Sequence, residues 1–157
     1  MADIAEFIAR WSNSHGSERG NSQRFLTEFI SVLELPPMPT DAETVPGYEF
    51  EHSVPYKDDE NKIHDLRIDL YKRGCFVLES KQGIEVREKT PLEHIVARPA
   101  KAGTKRGTSA WDRLMDRAFH HAEDYVRRLP ASEGRPPFII VIDVGFSFDI
   151  YAEFSRT

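Results

Sequence analysis

Two carboxylates and one ammonium group in the stretch 68–81 are spaced as a hard-cation site requires. Asp69 stands late in one run, and Glu79 and Lys81 stand in the next, Cys75-Phe76-Val77-Leu78-Glu79-Ser80-Lys81. Unpaired charges inside an apolar strand cost several kcal/mol, so charges placed there are paired, metal-bound or catalytic. Side chains alternate across a strand, so Glu79 and Lys81 share a face with Val77, and Asp69 shares one with Arg67 and Asp65. A two-residue turn at Arg73-Gly74 would pair Asp69 with Leu78 and set it on the wrong face. A three-residue loop, Lys72-Arg73-Gly74, pairs Asp69 with Val77, and Gly74 supplies the left-handed residue that such a loop needs. Asp69 then lies diagonal to Glu79, roughly 7–8 Å away at the backbone. Two carboxylate arms can close that gap around one cation at roughly 2.0–2.6 Å per oxygen, with Lys81 beside it. The plainer reading is an exposed ion pair between Glu79 and Lys81 on an edge strand.

The elements that must hold these groups follow from periodicity. Ile4, Phe7, Ile8 and Trp11 recur at helical spacing over 2–11, and Phe25, Leu26, Phe29, Ile30 and Leu33 over 21–34, where Pro36, Pro37 and Pro39 end the second helix. Residues 48–56 alternate as a strand, with Tyr48, Phe50, His52 and Val54 on one face. With 63–71 and 75–82 they form an antiparallel meander. The clearest helix is 109–129, striped by Trp111, Met115, Ala118, Ala122, Tyr125, Val126 and Leu129, with Ser109 as cap and Asp112 as its capping-box partner. The apolar run 138–144 reads as a buried strand, and 148–154 as its neighbour through Gly145. Asp143 reads as a strand-end hydrogen-bonding residue rather than a metal ligand, and Cys75 as a core filler. The expected class is α+β: a mixed sheet with an antiparallel meander, flanked by helices.

Between 83 and 107 there is little hydrophobic period, but Lys101, Lys105 and Arg106 fall there. A long basic loop after the strand of Glu79 either contacts phosphates or is a solvated linker, and 91–96 reads as a short helix within it. Glu18, near the second helix, is either a further acid of the site or a surface residue.

A chain of 157 residues suits one domain with a sizeable core. The net charge of −5 does not announce a nucleic-acid partner. One cysteine excludes an internal disulfide and a cysteine zinc site. No stretch reaches the length of a membrane span and no signal-peptide pattern opens the chain, so a cytoplasmic protein is expected, with no membrane partner.

Asp, nine residues, then Glu-x-Lys resembles the pattern of the PD-(D/E)XK nucleases. That resemblance implies a restriction-endonuclease-like α/β/α core in which the acids hold Mg²⁺ or Mn²⁺ and the lysine stabilises or activates the attacking water at a phosphodiester. Asp69, Glu79 and Lys81 fall on the catalytic triplet; Asp69, Glu79 and the backbone carbonyl of Ser80 fall on the metal site. Over nearly its whole length the chain is also similar to the N-terminal domain of MmeI-like restriction-modification enzymes and related large DNA methyltransferases. The likeness is carried by Phe7-Ile8-Ala9-Arg10-Trp11, Ser17-Glu18-Arg19-Gly20-Asn21-Ser22-Gln23-Arg24-Phe25-Leu26, Arg67-Ile68-Asp69-Leu70, Leu78-Glu79-Ser80-Lys81, Lys105-Arg106-Gly107-Thr108-Ser109-Ala110-Trp111-Asp112 and Ala122-Glu123-Asp124-Tyr125-Val126-Arg127-Arg128-Leu129-Pro130.

The likeness implies a single endonuclease-like domain over 1–157, the N-terminal piece of a longer polypeptide whose methyltransferase and target-recognition domains follow. Double-stranded DNA is the implied partner. S-adenosylmethionine is implied for the parent chain only, because no Gly-rich cofactor loop and no Asn-Pro-Pro-Tyr box occurs in these residues. Tyr125 falls on the tyrosine of a helical Gln-x-x-x-Tyr, and His121 stands where that pattern has Gln. The rival expectation is a catalytically silent DNA-binding or docking module of a DNA methyltransferase.

Overall fold

The structure, a computed structural model, describes residues 3–12, 18–32, 34–35, 48–83 and 104–152. Its elements are α1 (Ile4–Ser12), α2 (Glu18–Val32), β1 (Tyr48–Lys57), β2 (Ile63–Lys72), β3 (Phe76–Lys81), α3 (Ser109–Arg128), β4 (Phe138–Asp143) and β5 (Ser147–Ala152). The strands form one sheet in the order β1-β2-β3-β4-β5. β1 to β3 are the expected antiparallel meander, β3 and β4 are parallel, and β5 returns antiparallel to β4. This is an α+β fold with a mixed sheet. The parallel step follows from α3, which carries the chain back to the starting edge of β4, as parallel neighbours require.

Both faces of the central strands are covered, which is why β3 and β4 read as unbroken apolar runs. On one face Leu70, Leu78, Ile142 and Val144 pack against Phe7, Trp11, Phe25, Leu26 and Ile30 of α1 and α2. On the other, Tyr71, Val77 and Val141 pack against Met115, Ala118, Ala122 and Tyr125 of α3. Helix α1 is held by its rings: Trp11 stands edge-on to Phe25 at 5.1 Å and Phe7 lies 5.3 Å from it. Ile4 and Ile8, which share the helical spacing of Phe7 and Trp11, are exposed. Gly145, at φ +75°, makes the β4–β5 turn, and a Cβ there would sit 2.1 Å from the Trp11 carbonyl oxygen.

Two sequence expectations are corrected. The α3 cap is Thr108, not Ser109: Thr108 is extended and its side chain accepts from the Trp111 N–H. The β2–β3 loop is Arg73-Gly74-Cys75, one residue later than expected. Its turn closes with Cys75 N–H donating to Lys72 C=O at 3.0 Å, and Gly74 takes φ +66°. The Cys75 carbonyl accepts from Phe138 N–H, so Cys75 belongs to the junction with β4. The ladder therefore sets Leu70 opposite Leu78 and Tyr71 opposite Val77, and Asp69 is not paired with Val77. The helix expected at 91–96 lies outside the described residues.

Candidate functional site

The pleat of β3 distributes the charged groups. Val77 faces α3 and Leu78 faces α2, so Glu79 and Lys81 turn toward α3 and Ser80 toward α2. The contacts agree. The carboxylate of Glu79, 4 % exposed, receives Lys81 Nζ at 2.6 Å on Oε1. It also hydrogen-bonds the Tyr125 hydroxyl of α3 and lies 3.9 Å from His121 Nδ1. Ser80 Oγ lies 3.0 Å from Ser22 Oγ of α2.

Asp69 departs from the simple pleat. Undisturbed alternation from Tyr71 would set it on the α3 face beside Glu79. Alternation from Arg67 would set it on the α2 face. The pleat reverses between these residues: Ile68 and Val54 pack on the α3 side, whereas Leu70 and Phe50 pack on the α2 side. The reversal coincides with Glu51, level with Asp69 on β1, which takes φ +51°. A positive φ at a non-glycine residue is uncommon, and it breaks the alternation that a sequence reading assumes. Asp69 Oδ2 accepts from the Ser80 N–H at 2.7 Å and from the Ser80 hydroxyl at 2.5 Å. A strand N–H points along the sheet, so this carboxylate lies between the strands at the place where the β2–β3 ladder stops. The expectation that Asp69 and Glu79 project side by side from one face is thereby corrected.

One group senses both acids. Burial raises the Tyr125 phenol well above its ordinary pKa, and the charges of Glu79, then Asp69, and finally Glu51 raise it further. The hydroxyl therefore stays protonated and donates to Glu79, and both strand acids lie within its electrostatic reach. Among the described residues no group of three or more His, Cys, Asp and Glu side chains is gathered to hold a metal ion. Asp69, Glu79 and the Ser80 carbonyl offer oxygens only, which suits a hard cation. Mg²⁺ commonly takes only one or two carboxylates and keeps several waters. The donor set fits such an ion in kind and number.

The α2 side of the strand gap opens into a hollow of about 640 Å³ lined by Ser22, Gln23, Leu26, Glu51, Arg67, Asp69 and Ser80. Glu51, Arg67 and Ser22 were not singled out from the sequence. Nothing in the residue types around Glu51 announces its positive φ, and Ser22 becomes visible only once α2 is laid against β3.

Of the basic residues expected at phosphates, Lys105 is exposed, and Lys101 lies outside the described residues. Arg106 is corrected. Its Nε and Nη2 donate to Asp143 at 2.9 Å each, and Nη2 also donates to Val144 C=O. Its side chain is 9 % exposed, so it ties the fold together rather than facing solvent. Asp143, fully buried, also accepts from Gly83 N–H at 2.9 Å and Trp111 Nε1 at 2.7 Å. It is the strand-end hydrogen-bonding residue expected, and it stands opposite Lys81 in the β3–β4 ladder. Glu18 is the first residue of α2, and its side chain lies outside the described residues.

No helix among the described residues is long and apolar enough to cross a membrane. No curated protein and no solved structure matches the chain. The family described as "MmeI, N-terminal domain" matches residues 2–153. An oxygen-lined strand gap with a lysine and a tyrosine beside it thus sits in a chain that belongs to the MmeI N-terminal domain family, in the setting of restriction-modification enzymes.

Proposed function

We propose that this chain is the DNA-cleaving unit of a restriction-modification enzyme, a PD-(D/E)XK endonuclease core that hydrolyses phosphodiester bonds with Mg²⁺ or Mn²⁺. The methyltransferase and target-recognition functions would then reside in further domains of the same polypeptide. The observation that carries the reading is the convergence at the end of the β2–β3 ladder. Glu79 is buried with Lys81 on its Oε1, and Asp69 is held by the N–H and hydroxyl of Ser80, the residue between them. Asp69, Glu79 and the Ser80 carbonyl would hold the divalent ion. Such an ion, when bound, supplies charge neutralisation at a phosphate and a more acidic water.

The remaining work falls to the chain's own groups. Lys81 Nζ, positioned by Glu79, is the cation available to orient a water and to stabilise charge growing on the phosphate. Tyr125 keeps its proton and fixes the Glu79 carboxylate. His121, 69 % exposed at its side chain, can donate to a phosphate from the same face. Lys105 and Lys101 remain proposed phosphate contacts.

A silent DNA-binding or docking module is the second reading, and one observation favours it. In this structure Asp69 accepts from Ser80 and Glu79 from Lys81, so protein donors already engage both acids. Supercoiled plasmid separates the two. The first reading expects nicking by the purified protein with Mg²⁺ or Mn²⁺ and none in EDTA. DNA binding without cleavage in either metal would support the second and overturn the first.

A further inference from the structure

The hydroxyls beside Asp69 form a chain across three elements. Ser22 Oγ on α2 lies 3.0 Å from Ser80 Oγ on β3, which lies 2.5 Å from Asp69 Oδ2 on β2. A hydroxyl has one proton and an ionised carboxylate only accepts. The Ser80 proton therefore goes to Asp69, and the Ser22 proton is the one directed at Ser80. Ser80 is 1 % exposed, and a hydrogen bond to a charged acceptor is about twice as strong as a neutral one. The Ser80 N–H donates to the same oxygen at 2.7 Å. One oxygen of Asp69 is thus fixed from two directions, which sets the direction of the other.

We propose that the Ser22–Ser80 pair is the positioning element of the cation site: Ser80 aims the Asp69 carboxylate, and Ser22 aims Ser80 from α2. This inference rests on the reading of Asp69 and Glu79 as cation ligands and adds a role for the Ser80 side chain beyond its backbone carbonyl. Groups that hydrogen-bond a ligating carboxylate typically change metal affinity by about 10–100-fold when removed. Ser22 touches the carboxylate only through Ser80, so its effect is smaller.

The test is the affinity for Mn²⁺, read from the signal of the free ion by electron paramagnetic resonance, beside the melting temperature without metal. Ser80→Ala is expected to weaken Mn²⁺ binding by about 10-fold or more, beyond what any accompanying fall in melting temperature accounts for. Ser22→Ala should weaken it by a smaller factor in the same direction. Ser22→Ala stands alone as the test if Ser80→Ala does not fold. Unchanged Mn²⁺ affinity in the folded variants, or weakening only in step with lost stability, overturns the positioning role. Absence of Mn²⁺ binding by the unsubstituted protein overturns the cation site itself, and the positioning role with it.

Discussion

Glu79→Gln is expected to lower plasmid nicking by at least roughly 10³-fold, the rate equivalent of the several kcal/mol that a divalent ion contributes at a phosphoryl centre. The substitution keeps the shape and the partnership with the Tyr125 hydroxyl but removes the charge that a cation and Lys81 both need. Lys81→Met should lower the rate by roughly 10²–10³-fold, because it removes one stabilising donor rather than the ion. Its melting temperature must be measured alongside. Lys81 lies on a carboxylate that is 5 % exposed at its side chain, and removing one partner of a buried pair destabilises by itself. Glu79→Gln does not carry that burden in the same way, since a neutral amide is easier to bury than a lone charge. Nicking by Glu79→Gln at the unsubstituted rate would remove Glu79 from the chemistry.

The second large effect is on stability. Asp143→Ala is expected to destabilise the protein by about 3–5 kcal/mol, the cost of leaving a buried charge without its partner. At roughly 2–4 °C per kcal/mol for a domain of this size, that is a fall of about 6–20 °C in melting temperature. The reason is the number of chain segments that meet at this one carboxylate: Gly83 beyond β3, Arg106, Trp111 in the first turn of α3, and β4 itself. Gly83 shows how close the packing is, since a Cβ there would lie 2.7 Å from Asp143 Oδ2 and 2.8 Å from Arg106 Cγ. Arg106→Ala should cost a comparable amount, and the double substitution less than the sum, because the two act as a pair. A change under about 2 °C in Asp143→Ala would show that these hydrogen bonds contribute little net stability. Asp143 also faces Lys81 across the ladder, so nicking by Asp143 variants should be read only at temperatures where they remain folded.

Much of the fold was legible because period and punctuation agree. The stripe of α3, the apolar run of β4 and the glycine after it, and the meander of β1 to β3 all appear from residue types alone. The register of the hairpin did not. Gly74 announces a positive φ but not its place within the turn, and the hydrogen bond from Phe138 N–H to Cys75 C=O, which draws Cys75 out of the ladder, depends on a strand distant in sequence. The same limit hid the site's geometry. Asp69, Glu79 and Lys81 stand out by type and spacing, and Glu79 with Lys81 follows the pleat as expected. Asp69 does not, because the pleat of β1 and β2 reverses at the level of Glu51, a conformation with no signature in the sequence. The role of Arg106 is hidden for a related reason: a basic residue in a long polar stretch looks solvated until the buried acid that it serves, 37 positions away, is folded against it.

Diffraction from crystals soaked in Mn²⁺, recorded for anomalous scattering, tests the cation site most directly. A cation shared by the two acids gives a peak in the strand gap with oxygens of both Asp69 and Glu79 within roughly 2.0–2.6 Å of it. A peak elsewhere, or none while Asp69 remains on Ser80 and Glu79 on Lys81, would contradict it.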